Sequence, residues 1–143
     1  MIIRKVSKFV MVNKERDFAM NTDTEQHFRQ ADEFLREIEY LMAGGFYKAS
    51  MGRAYYAMFH AATAAMLANE VDQGPRQAIL PAFEKAFIKT NMLDKKFLNY
   101  FRQAFNARTE PETPSFGSAD HRQAQVMLLR TREFITACRK PCE

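Results

Sequence analysis

Gly44-Gly45-Phe46, followed by Tyr47-Lys48-Ala49-Ser50-Met51-Gly52-Arg53-Ala54-Tyr55-Tyr56-Ala57-Met58-Phe59-His60-Ala61-Ala62, decides the fold of this chain. The run continues apolar on nearly every side to about Ala68, so it predicts a central helix touched from several directions. Ala57, Ala61, Ala64, Ala65 and Ala68 let neighbouring helices approach closely. Gly44-Gly45 before it supplies a residue able to take the left-handed conformation that stops a preceding helix. Asp72-Gln73-Gly74-Pro75 ends the region with turn chemistry.

Working outward, Phe28, Ala31, Phe34, Leu35, Ile38, Leu41 and Met42 recur at three- and four-residue steps, the stripe of an amphipathic helix opposite Arg29, Asp32, Glu33, Arg36, Glu37 and Glu39. Asp23 or Thr24 is the expected cap of that helix, and residues 1–20 are read as an N-terminal extension to a domain over 21–140. Downstream, Gln77–Lys89 forms a third element in which Pro81 is tolerated only in a first turn or at a kink. Asp94 caps a fourth helix over Lys95–Arg108, which buries Phe97, Leu98, Phe101, Ala104 and Phe105. Thr109–Gly117 is a long loop with two prolines. Ser118 or Asp120 caps a last helix to about Arg139, and Pro141 closes it. The fold expected is all-α, an antiparallel bundle of four main helices plus a short additional helix.

Composition agrees. Only five Gly and five Pro in 143 residues disfavour a loop-rich β fold, while 47% hydrophobic residues are too many for global disorder. Cys138 and Cys142 make no disulfide framework, which points to a reducing compartment. The weakly polar stretch Ala54–Ala68 is too short to span a bilayer, and bases interrupt the opening residues where a signal peptide needs an apolar core. A cytoplasmic protein with no membrane association is expected.

Charge is unevenly placed: residues 1–20 carry +3, residues 21–74 carry −4 and residues 75–143 carry +5. Such blocks favour head-to-tail contact or an anionic partner, or they interleave once the helices pack.

Metal chemistry finds no spacing to support it. His27, His60 and His121 lie on three different predicted helices, without a second His or Cys three or four residues on, and no cofactor motif is visible. The informative set is Arg53, Tyr56 and His60, spaced to project from one side of the central helix. Arg53 and His60 stand roughly 10 Å apart along the axis, a distance suited to following a phosphate backbone. Equally, a buried helix would carry there a packed Tyr, a satisfied His and an Arg paired with an acid of the first helix.

The stretch Gly44–Ala62 also resembles the signature of the small stand-alone HEPN domains of prokaryotes, with Ser50 in place of an Ala. Weaker similarity runs through Ala82–Thr90, Leu93-Asp94 and Ala104-Phe105-Asn106-Ala107-Arg108, where the family has a helix ending in Arg. The resemblance covers about residues 24–138 and implies a homodimer, often partnered by a minimal nucleotidyltransferase in a toxin–antitoxin pair. It also implies, for catalytic members, a metal-independent ribonuclease built on an R-x4-6-H motif near the loop before the last helix. In that chemistry the Arg stabilises phosphorane charge and the His moves the proton of the attacking 2′-hydroxyl.

Here the motif is not kept. Arg108 matches the Arg, but Thr113, Pro114 and Ser115 stand where the His belongs, and His121 follows only after twelve intervening residues. Thr109-Glu110-Pro111 replaces the Asp-Tyr pair of many relatives. The reading is therefore a non-catalytic or degenerate HEPN protein. It dimerises and binds a nucleotidyltransferase, a nucleotide or RNA, with Arg53, Tyr56, His60 and Arg108 as contacts and no catalytic residue assigned. The alternative is a ribonuclease toxin in which His60 or His121 supplies the base.

Overall fold

The computed structural model describes residues 14–109 and 120–143. They form α1 (Lys14–Ala43), α2 (Tyr47–Ala68), α3 (Ile79–Phe83), α4 (Lys96–Thr109) and α5 (His121–Arg139), with no strand among the described residues. A 3-10 turn (Arg76–Ala78) leads into α3, a π-helical turn (Glu84–Ile88) continues it, and a second 3-10 turn (Lys140–Cys142) ends the chain's last helix. This is the all-α bundle the sequence predicts.

The turn between α1 and α2 shows how sequence becomes topology. Gly45 sits at φ +82°, and its N–H donates to the Met42 carbonyl at 3.0 Å while Phe46 donates to Leu41 at 2.9 Å. These two bonds satisfy carbonyls that the end of α1 would leave without partners, and they reverse the chain so that α2 runs back along α1. A side chain at that φ is strained by about 1–2 kcal/mol, which is why Gly is used.

α2 is central. It packs against α1, α4 and α5, and every residue from Ala61 to Met66 is buried. Beneath it, Phe83, Phe97, Phe101 and Phe134 interlock, with Phe134 5.3 Å from Phe83 and 5.2 Å from Phe101 between ring centres. The stripes expected on α1 and α5 face this core: Phe28, Ala31, Ile38 and Met42 are buried, as are Ala124, Met127, Leu128, Thr131, Phe134, Ile135 and Cys138.

Two of the expected caps are present. Asp94 accepts from the Lys96 N–H at 2.9 Å. Asp120 and Gln123 exchange bonds at 2.8 and 3.0 Å, the reciprocal capping box that starts α5. Ser118 and most of the Thr109–Gly117 loop lie outside the described residues. Pro81 falls in the first turn of α3, where its missing N–H costs nothing.

The expected cap at Asp23 or Thr24 is corrected. α1 runs uninterrupted from Lys14, and Thr24 is a buried interior position. Capping residues only favour a start, and no Gly or Pro between Lys14 and Ala43 breaks the helix. Of the expected extension, residues 14–20 are the first turns of α1 and residues 1–13 lie outside the described residues.

Charge blocks interleave within the bundle. Arg139 of α5 donates to Asp32 of α1 at 2.9 Å and lies over the Phe28 ring at 4.4 Å, and Arg132 of α5 pairs with Glu39 of α1. Part of the acidic middle is thus answered by the basic C-terminal helix of the same chain.

Candidate functional site

Three- and four-residue spacing does put Arg53, Tyr56 and His60 along one edge of α2, beside α1. Arg53 is exposed, whereas Tyr56 and His60 are half-buried, so this edge is a surface seam and not part of the core. Each residue then has its own neighbours.

Arg53 is paired: its Nε lies 3.2 Å from Glu37 Oε1 of α1. Tyr56 stacks on Phe34 of α1 at 5.7 Å and meets Tyr55 edge-on at 5.5 Å. His60 stacks on the other end of the same seam, 5.8 Å from Phe34 with rings 14° from parallel, and 5.2 Å from His27. The two histidines meet at Nδ1, 3.0 Å apart, so that one Nδ1–H donates to the other Nδ1.

From the end of α4, exposed Arg108 brings its guanidinium to 5.1 Å from the Tyr55 ring and 5.8 Å from Tyr56. Arg76, in the turn before α3, lies 4.4 Å over Phe59. The fold therefore joins Tyr56, His60 and Arg108 in one seam, flanked by Arg53, and adds Phe34, His27 and Arg76. Sequence spacing does not reveal these last three, because they arrive from other elements. A partial signal for Phe34 was present in its place on the α1 stripe.

Burial pulls the His60 pKa down to about 4, with the neighbouring His27 and then Arg76 pushing the same way. Burial also lowers His27, opposed by Asp23 one turn before it. Burial raises the Tyr55 hydroxyl, partly offset by Arg108 and Arg76. Both imidazoles are neutral at pH 7. A base with a pKa near 4 is poorly matched to proton abstraction at neutral pH, where an efficient general base titrates close to the working pH.

The seam suits recognition better. Tyr56 and His60 keep part of their rings at the surface and Arg108 is exposed beside them, residue types able to stack on a base and to contact phosphate.

Other chemistries find no site among the described residues. His121 stands edge-on to Tyr47 at 5.4 Å. Tyr47 begins α2, about 20 Å of helix rise from His60, so His121 does not join the seam. Burial raises the Cys142 thiol to about 11 and Cys138 well above its usual value, which leaves neither as a ready thiolate nucleophile. Among the described residues no group of three or more His, Cys, Asp or Glu side chains is placed to hold a metal ion, and no helix is long and apolar enough to cross a membrane.

A central helix with this aromatic seam, wrapped by the other four, defines an α-helical domain of a known kind. Residues 24–140 match the family model described as the HEPN domain, a span that takes in α2 to α5 and most of α1. This chain belongs to the HEPN domain family. It is 28% identical over 118 residues to a "Putative toxin" of Methanocaldococcus jannaschii, covering 82% of this chain and 80% of that protein. It is also 23% identical over 115 residues to a "UPF0332 protein" of Thermotoga maritima, covering 80% and 87% of the two chains.

Proposed function

We propose that this HEPN protein acts by binding and not by cutting: it pairs as a homodimer and uses the α1/α2 seam to hold single-stranded RNA or a nucleotide. In the cell it works in the cytoplasm beside a minimal nucleotidyltransferase, as one half of a toxin–antitoxin pair. The toxin description of the Methanocaldococcus relative supports the latter part of this reading.

The observation that carries the binding function is the placement of Arg108 against Tyr55 and Tyr56, beside the ring stack Tyr56–Phe34–His60. Exposed Arg108 beside half-buried Tyr56, Phe34 and His60 puts a cation next to aromatic rings, the combination that binds single strands by stacking plus backbone charge. The absence of a His at positions 113–115 supports a binding function without cleavage.

A ribonuclease reading is favoured by one observation, that the His60 imidazole and the Arg108 guanidinium reach the same Tyr56–Phe34 stack. Light scattering with and without single-stranded RNA, in EDTA and reductant, separates the two. A dimer that gains mass and leaves the RNA intact supports binding. EDTA-resistant cleavage that is lost in His60→Ala and Arg108→Ala supports the ribonuclease. A monomer with no affinity for RNA, nucleotide or nucleotidyltransferase contradicts both.

A further inference from the structure

Tyr55 is only 3% exposed, its ring packed against Phe101 at 5.8 Å and Phe105 at 5.6 Å on α4. Its hydroxyl nevertheless has no hydrogen-bond partner among the described residues. A buried tyrosine hydroxyl ordinarily finds one, so this donor is left for a group from outside the fold.

Two guanidinium groups flank it. One turn along α2, the Phe59 ring lies 6.1 Å from that of Tyr55. Exposed Arg108, from the end of α4, stands 5.1 Å from the Tyr55 ring, and exposed Arg76, from the turn before α3, stands 4.4 Å over Phe59. Arg53, Arg132 and Arg139 each meet a carboxylate, whereas Arg76 and Arg108 have none at ion-pair distance among the described residues. Both charges act on the Tyr55 hydroxyl, Arg108 more than Arg76.

The place thus offers two unanswered positive charges and one unused O–H donor. A phosphate monoester carries about −1.5 to −2 charge at pH 7 and three acceptor oxygens. A phosphodiester inside a strand has a single charge and two free oxygens. Charge and donor count both match the monoester, and guanidinium forks suit its geometry. We propose that Arg76, Arg108 and the Tyr55 hydroxyl form a site for a terminal phosphate monoester, borne by an RNA strand or a mononucleotide, with the Tyr56–Phe34–His60 stack beside it for the attached nucleoside. The site rests on the RNA-or-nucleotide reading and narrows it to one end of the ligand.

The test is fluorescence anisotropy in EDTA with one short, internally labelled RNA carrying a 5′-phosphate, a 3′-phosphate or hydroxyls at both ends. At least one phosphorylated form is expected to bind about tenfold tighter than the hydroxyl form. Arg76→Ala and Tyr55→Phe are each expected to cut that advantage at least about threefold, the second with the ring still in place. Arg132→Ala, on the α1/α5 face, keeps it. AMP and adenosine as competitors separate the two sources: displacement by AMP alone means that a mononucleotide suffices, and displacement by neither assigns the advantage to strand ends. In the wild type the Arg76 Nε–H resonance is expected to shift with the phosphorylated strand and not with the hydroxyl form, a readout that needs no variant to fold. Equal affinity for the three strands overturns this site and leaves RNA binding standing, as does an advantage that survives both Arg76→Ala and Tyr55→Phe. Absence of binding to any strand and to AMP overturns both.

Discussion

Arg53 of α2 and Glu37 of α1 form an ion pair at 3.2 Å, with the two side chains 47% and 46% exposed. This is the pairing of an Arg with an acid of the first helix that the sequence left open beside a phosphate-contacting role. Arg53 thus reaches the seam with its charge answered, and at such exposure the pair stabilises the fold by only about 0–1 kcal/mol. Glu37→Gln is expected to leave the melting temperature nearly unchanged and to tighten single-stranded RNA binding about two- to fivefold by releasing Arg53. Fluorescence anisotropy checks it; weaker binding in Glu37→Gln contradicts the placement of Arg53 at the edge of the interface.

Proton linkage gives His60 a signed effect on stability. Its folded-state pKa of about 4 lies below the ordinary 6.5 of the unfolded chain, so between these values the unfolded state binds more protons. The contribution of neutral His60 is therefore fully present above pH 6.5 and is lost as pH falls toward 4. His27, lowered for the same first reason, adds in the same direction. Urea denaturation from pH 7.5 to 4 is expected to show a steeper loss of stability in the wild type than in His60→Gln. Identical slopes would falsify the burial of a neutral imidazole.

Phe134 is fully buried and touches Phe83, Phe97 and Phe101. Phe134→Ala is expected to destabilise the bundle by about 3–5 kcal/mol, since rings fixed from several sides collapse poorly into the void. Leu129, on the same helix but 51% exposed, serves as the control; its change to Ala is expected to stay within about 0.5 kcal/mol. Chemical denaturation measures both, and similar losses at the two positions would contradict the assigned inner face of α5.

At the start of α5, Asp120 accepts the Gln123 N–H and Gln123 answers the Asp120 N–H. Asp120→Ala is expected to cost about 0.5–2 kcal/mol, and Asp120→Asn distinctly less, because Asn keeps the accepting oxygen. Equal losses in thermal unfolding would show that charge at the helix end, and not the capping bond, carries the effect.

These elements also show what the sequence makes legible. The apolar stripes of α1 and α5, the all-round apolar α2, Gly45, Asp94 and Asp120 each act through near neighbours in the chain, so their spacing reads directly. The start of α1 does not: Asn21-Thr22-Asp23-Thr24 has good capping chemistry, but continuing an existing helix is cheaper than stopping it.

Tyr56 and His60 are readable as one edge of α2 because helical period alone puts them there. Phe34, His27 and Arg76 are set by how α1, α2 and the turn before α3 dock. No local pattern announces that residue 27 meets residue 60.

The central claim is that the α1/α2 seam binds single-stranded RNA without cutting it, and titration of labelled RNA in EDTA at two salt concentrations tests it most directly. Wild-type protein is expected to bind and leave the strand intact. Arg108→Ala should weaken binding and lower the slope of log affinity against log salt by about 0.7, the share of one phosphate contact on a single strand. Tyr56→Ala should weaken it by about 1–3 kcal/mol with the slope unchanged, as loss of a stacking face predicts. Cleavage by the wild type, or affinity that neither substitution alters, would contradict the account.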